Sequence, residues 1–141
     1  MARALLGKIQ IHGVDDERIG KNDEITTDRA IDVELDLSQP TANIDIDPVK
    51  WGGECRVEIQ VKVRLLVGEQ ILVEGNVKLF EGGSEDTNDL EDEQPFEFFV
   101  PKRTKNLPPT EHEVKVASTG SGGGDYAEIK FLLTNRFAED E

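Results

Sequence analysis

The chain has 141 residues, of which 33% are charged and 36% are hydrophobic, and its formal net charge is −14. This length fits one domain with its own core. Such an excess of carboxylates repels phosphates and anionic lipid, so it argues against nucleic-acid binding and against direct membrane binding without a bridging cation. The single cysteine, Cys55, excludes an intramolecular disulfide, and no apolar run approaches the ~18 residues of a membrane span, so we expect a cytoplasmic protein.

Taken in chain order, the sequence alternates apolar and polar residues in eight segments, which is the period of half-buried strands. These segments are 5–13, 30–37, 42–47, 54–67, 70–81, 95–101, 112–118 and 126–135. No segment has a helical period, although one helical turn anchored by Leu90 would fit within 84–93. The pattern predicts an all-β, antiparallel β-sandwich of about eight strands, Ig-like or C2-like, over residues 1–137, with an acidic tail at 138–141.

The fourth and fifth segments form a predicted hairpin whose register follows from their charges. A two-residue turn would set the apolar face of one strand against the charged face of the other. A three-residue loop at 67–69, or one bulge, instead places Lys62 opposite Glu74 and Glu58 opposite Lys78. Each such pair contributes about 0.2–1 kcal/mol.

Three other positions carry predictions about packing. Gly75 falls at an inward position of its strand, which predicts a close backbone approach or a bulge. Prolines bracket the segment 95–101, which favours an edge strand or a strand end. Trp51, beside two glycines, is expected to plug one end of the sandwich, with an exposed binding platform as the alternative.

Acidic clusters are the main functional signal. The stretch EGGSEDTNDLEDEQPF (81–96) holds seven carboxylates and no basic residue. Carboxylate oxygens suit calcium, but the spacing does not fit the EF-hand loop. A solvated loop and a docking surface for a basic partner are the other interpretations. Two further clusters contain the pairs Asp15–Asp16 and Asp45–Asp47.

Acidic loops at the same end of a sandwich would repel one another by roughly 1 kcal/mol per pair at 4 Å in water, and a divalent cation relieves that repulsion. The segment IDIDPVKW (44–51) resembles the calcium-binding loops of C2 domains over these residues, although the rest of the family pattern is lacking. The resemblance implies Asp45 and Asp47 as ligands, joined by Asp15, Asp16 or the 85–92 loop. The predicted calcium ligands are Asp15, Asp16, Asp45, Asp47, Glu85, Asp86, Asp89 and Asp92.

The signals for catalysis are weak. The two histidines, His12 and His112, form no close-spaced pair, and no serine lies in a nucleophile-elbow motif. Cys55 is expected to be a packed residue. The glycine-rich stretch 118–126 lacks the Gly-Lys-Ser/Thr of a phosphate-binding loop, although Asp125 could add a ligand to a nearby site.

The sequence therefore predicts a non-catalytic cytoplasmic module that binds Ca²⁺ through acidic loops. The alternative is a metal-independent module that binds another protein through its acidic surface or an exposed strand edge. A small hydrolase or metal-dependent enzyme is a third interpretation. The basic segment 101–109 is expected to be solvated. The alternative is that it pairs with an acidic loop of the same chain or of another copy.

Overall fold

The structure, a computed structural model, describes residues 2–15, 23–103, 108–118 and 124–138. This part of the chain contains no helix and nine strands: β1 (Arg3–Asp15), β2 (Asp23–Leu35), β3 (Thr41–Asp45), β4 (Val49–Trp51), β5 (Cys55–Leu65), β6 (Ile71–Glu81), β7 (Leu90–Val100), β8 (Thr110–Ala117) and β9 (Tyr126–Phe137). Within the described residues, then, no helix has the length and apolarity needed to cross a membrane.

The strands form two antiparallel sheets packed face to face. One sheet has the order β2-β1-β9-β8. The other has the order β3-β5-β6-β7, and the short β4 also pairs with β5. Inward-facing aliphatic and aromatic side chains of both sheets make one continuous core, in which Phe131, Ile9 and Val63 are fully buried. The predicted all-β sandwich is confirmed.

Two strands are longer than their alternation indicated. β2 begins at Asp23 and β7 begins at Leu90. Leu90 pairs with Phe80 of β6 and is 49% exposed, so it does not anchor a helical turn. The physical reason is that backbone hydrogen bonds with a neighbouring strand can hold an edge strand in place even where its side chains form no apolar face. Segment 90–94 therefore continues the ladder with β6 despite its acidic side chains.

The β5–β6 hairpin has the predicted register. Lys62 pairs with Glu74 and Glu58 pairs with Lys78. The hydrogen bond from Leu66 N to Gln70 O, at 2.8 Å, closes a three-residue loop over 67–69. The two faces of the hairpin therefore match.

The predictions for Gly75 and for the segment 95–101 are also confirmed. A Cβ on Gly75 would collide with the carbonyl oxygen of Gln60 on the neighbouring strand, so the backbones approach too closely for any side chain. β7, which contains Pro95, is an edge strand of its sheet.

The end of the sandwich that carries the β5–β6 hairpin is closed by a polar network. Arg3 is 2% exposed, and its guanidinium donates to Oδ1 and to the backbone oxygen of Asn135, each at 2.9 Å. Asn135 donates in turn from Nδ2 to the backbone oxygens of Glu69 and Val100. Lys102, from the basic segment, lies 3.5 Å from the Glu69 carboxylate. Residues 104–107 of that segment lie outside the described part.

Candidate metal-binding site

Several chain segments meet at the opposite end of the sandwich, which we call the acidic end. β1 ends there at Asp15, and β5 begins there at Cys55. β6 ends there at Glu81, which pairs with Cys55. β8 ends and β9 begins there, and Ser118 N donates a hydrogen bond of 2.8 Å to Asp125 O. Non-local strand pairing therefore brings four distant positions together.

Three of these side chains form a compact buried cluster, which we call the Asp–Cys–Asp group: Asp15, Cys55 and Asp125. Their relative exposures are 3%, 0% and 4%. One ligand atom from each, two carboxylate oxygens and the cysteine sulfur, all lie within 4.8 Å of one another. This spacing suits joint contact with a single metal ion.

Glu81 borders the Asp–Cys–Asp group and shares its electrostatics. A hydrogen bond with the Asp125 side chain raises the pKa of Glu81 to about 7, and burial adds to the effect. The Ser118 hydroxyl opposes it by hydrogen-bonding to the charged form. Glu81 therefore keeps its proton up to near neutral pH, at a hydrogen bond with the Asp125 side chain.

The Cys55 side chain is a thiol in this environment. Burial raises the pKa of Cys55, and the neighbouring charges of Asp125, Asp15 and Glu81 raise it further. A thiol of this kind is a poor nucleophile, because the thiolate is the reactive form. The prediction that Cys55 is a packed residue agrees with its full burial, and its sulfur also lies within 4.8 Å of two carboxylate oxygens.

Trp51 and two glycines form the wall of the acidic end. Trp51 is 4% exposed, so it plugs the sandwich as predicted. Its indole lies so close to Gly13 that a Cβ there would be 2.7 Å from Cε2 of the ring. Gly52 has a φ of +65°, and a Cβ there would collide with the Asp15 carboxylate. The turn after β4 therefore needs glycine both for its backbone conformation and for the space that Asp15 occupies.

Of the eight predicted calcium ligands, Asp15 belongs to the Asp–Cys–Asp group, and Asp16 lies outside the described residues. Glu85 and Asp86 are near the acidic end but make other contacts. Glu85 accepts a hydrogen bond from Gly53 N at 2.9 Å, and Asp86 accepts one from Lys50 Nζ at 2.9 Å. The Lys50 contact lowers the pKa of Asp86.

Asp89 is exposed in the loop between β6 and β7, and its backbone oxygen accepts a hydrogen bond from Glu81 N at 3.1 Å, so it lies beside the acidic end. The other three predicted ligands are Asp92, Asp45 and Asp47. Asp92 accepts a hydrogen bond from Ala117 N at 2.9 Å and so links β7 to β8. Asp45 pairs with Gln60, five residues along β5 from Cys55, which corresponds to roughly 16 Å. Asp47 follows Asp45, and its backbone oxygen accepts a hydrogen bond from Arg29. The structure therefore places Asp45 and Asp47 away from the acidic end.

The two histidines do not share a site. His12 faces outward beside Thr26, with Nδ1 and Oγ1 3.1 Å apart. His112 stacks on Phe98 with ring centroids 4.5 Å apart. His12 pairs with Glu128 and His112 pairs with Phe131, and these alternate along β9, so the two rings lie on opposite faces of the sheet.

The sequence predicts Asp15 as a ligand and Asp125 as a possible one, but it does not predict that Cys55 and Glu81 lie beside both. The positions of these residues relative to the strands do indicate a shared site. Asp15, Cys55, Glu81 and Asp125 each stand at the first or last position of a strand or directly before one. An antiparallel order would have assigned all four to one end.

Comparisons of the chain with protein-family models, with curated proteins and with solved structures gave no match.

Proposed function

We propose that the chain is a non-catalytic binding module that takes one divalent cation at the Asp–Cys–Asp group, with Glu81 as a further ligand. The convergence of two carboxylates and a sulfur within 4.8 Å, from three separate segments, supports this proposal. Burial disfavours the charged form of a carboxylate, so a purely structural core is seldom built from such groups. The cation would replace the proton that Glu81 holds.

Calcium is the first ion to consider, because Asp15, Asp125 and Glu81 together offer several hard oxygen ligands. In that case Cys55 remains a thiol beside the site. Zinc is the second ion, because a deprotonated cysteine with carboxylates is a zinc ligand set. Zinc would have to displace the proton of Cys55, so its affinity would rise steeply with pH.

The test is calorimetric titration of metal-free protein with Ca²⁺, Zn²⁺ and Mg²⁺ at near-physiological salt, with amide NMR spectra at each end point. We expect saturable binding of Ca²⁺ or Zn²⁺ at one site, with shifts confined to the acidic end: residues 13–15, 51–55, 81–82, 117–118 and 124–127. Cys55→Ser separates the ions, since it removes zinc binding and leaves calcium binding unchanged.

A matched pair of double variants gives the control. Asp15→Asn with Asp125→Asn should abolish binding. Asp45→Asn with Asp47→Asn removes the same charge from exposed positions outside the acidic end and should leave binding intact. Charge screening would be the explanation if both double variants lost binding equally. It would also be the explanation if weak shifts spread over every acidic residue and Mg²⁺ were as effective as Ca²⁺. Either result would overturn the proposal.

A further inference from the structure

A second site is indicated by a cleft on the outer face of the five-stranded sheet. Its volume is about 1000 Å³. The β3–β4 connection forms one side of the cleft and the Pro95–Glu97 stretch of β7 forms the other, with β5 and β6 between them. The polar lining residues point away from the core, because Ile59, Val61 and Phe96 alternate with them and are buried.

The lining of this cleft is strongly acidic. It contains the carboxylates Asp45, Glu58, Glu74 and Glu97 and one basic residue, Lys62. Of these four carboxylates, only Glu58 forms an ion pair within the described residues, with Arg56 Nε at 2.9 Å. Lys62 lies opposite Glu74 in the β5–β6 ladder, so the cleft lining as a whole carries four carboxylates against one lysine.

The pairing of β6 with β7 adds an independent observation. Glu74 lies directly opposite Glu97 in this ladder. Like charges in that relation destabilise a sheet. This repulsion would be relieved by a ligand that carries positive charge and only hydrogen-bond donors, as lysine and arginine side chains do.

We propose that this cleft binds an extended, Lys/Arg-rich segment of a partner protein. The distance from β3 to β7 is three strand spacings, or about 14 Å, which an extended chain covers in about four residues. Side chains of an extended chain alternate, so basic residues at every second position would face the sheet together. Asp45, Glu74 and Glu97 would then receive three successive basic side chains.

The experiment uses the full chain and two labelled peptides of the same composition, Lys-Thr-Lys-Thr-Lys and Lys-Lys-Lys-Thr-Thr, in fluorescence anisotropy and amide NMR. The alternating peptide should bind saturably and more tightly, with shifts at 43–46, 58–62, 74–76 and 95–97. Glu74→Gln with Glu97→Gln should weaken it about tenfold, as expected for the loss of two exposed ion contacts. Asp32→Asn with Glu34→Gln, an equal charge loss on exposed β2 positions, should change it by less than about twofold.

Several outcomes would overturn the proposal. Equal affinity for the two peptides, or equal weakening by the two double variants, would show unspecific attraction to an acidic protein. Spermine that binds the cleft as tightly as the alternating peptide would assign it to a small polyamine. Concentration-dependent shifts at the cleft without peptide would assign it to a second copy of the chain. The absence of saturable binding would exclude a peptide site.

Discussion

Arg3 donates a hydrogen bond from Nε to Oδ1 of Asn135 at 2.9 Å, and both side chains are buried at the end of the sandwich opposite the acidic end. The two residues belong to the first and last strands of the described chain, which pair side by side. A buried guanidinium is stable only if acceptors replace its hydration. Asn135 supplies two of these acceptors, so the closure of this end depends on it.

Replacing Asn135 by leucine should destabilise the protein by about 3 kcal/mol, because Arg3 would keep its buried charge and lose a strong acceptor. The measurement is urea unfolding followed by circular dichroism. Thr134→Val is a suitable control, since Thr134 makes a long hydrogen bond of 3.4 Å to Leu6 O from a half-buried position. Similar unfolding midpoints for the two variants would show that Arg3 does not depend on Asn135.

Gly13→Ala should cost about 1–3 kcal/mol, because the new methyl group would overlap the buried ring of Trp51. Gly83→Ala is the matched control. A Cβ at Gly83 meets no atom within 4 Å, so this change should be neutral or should stabilise the protein by about 0.4–1 kcal/mol. Urea unfolding measures both effects, and Trp51 fluorescence reports any movement of the ring. A Gly13→Ala protein as stable as the wild type would mean that the ring has room to shift.

The raised pKa of Glu81 predicts a pH dependence of stability. The folded protein keeps a proton on Glu81 up to about pH 7, whereas the unfolded chain loses it near pH 4.5. The folded state therefore binds more protons in this window, and the contribution of Glu81 to stability falls as pH rises from about 4.5 to about 7.

Comparison of the unfolding free energies of wild type and Glu81→Gln across this window isolates the effect. The difference between the two proteins should change steadily with pH in metal-free buffer and should level off above pH 7. A saturating divalent cation should shift the Glu81 titration to lower pH, because the ion replaces the proton. A constant difference between the proteins at every pH would show that Glu81 titrates normally.

Removing one negative charge from the outward face of β7 should change the free energy of unfolding in opposite directions at Glu97 and at Glu93. Glu97 faces Glu74, so Glu97→Gln should raise stability by about 0.2–1 kcal/mol. Glu93 faces Lys78 and accepts a hydrogen bond from Asn76, so Glu93→Gln should lower stability by a similar amount. Chemical denaturation of both variants at low salt is sufficient. If both substitutions changed stability in the same direction, the protein would be responding to its net charge alone.

The fold was predictable where the local pattern determines it. Alternation over 54–81 fixes which side chains face the core, and that in turn fixes the loop length and the pairing of Lys62 with Glu74. The start of β7 could not be predicted in this way. Segment 90–94 alternates no apolar residues, and it is a strand because β6 offers it backbone partners.

The candidate site was less predictable, because it depends on contacts between distant parts of the chain. Asp45 and Asp15 have similar surroundings in the sequence, since each occupies an acidic pair after an alternating run. The structure separates them because β3 ends beside the middle of β5, whereas β1 continues to the end of the sandwich. Cys55 has no local feature that marks it, and its role as a neighbour of two carboxylates follows only from the sheet order.

The pairing of β1 with β9 has a consequence for biosynthesis. Strands β3, β5, β6 and β7 are consecutive neighbours, so their sheet can assemble while the chain is still leaving the ribosome. The other sheet cannot be completed until Phe137 has emerged, because β9 lies between β1 and β8. Until then the apolar face of the early sheet has an incomplete cover. The nascent chain thus passes through a stage in which this apolar face is only partly covered, and Asp125 joins Asp15 and Cys55 only when that stage ends.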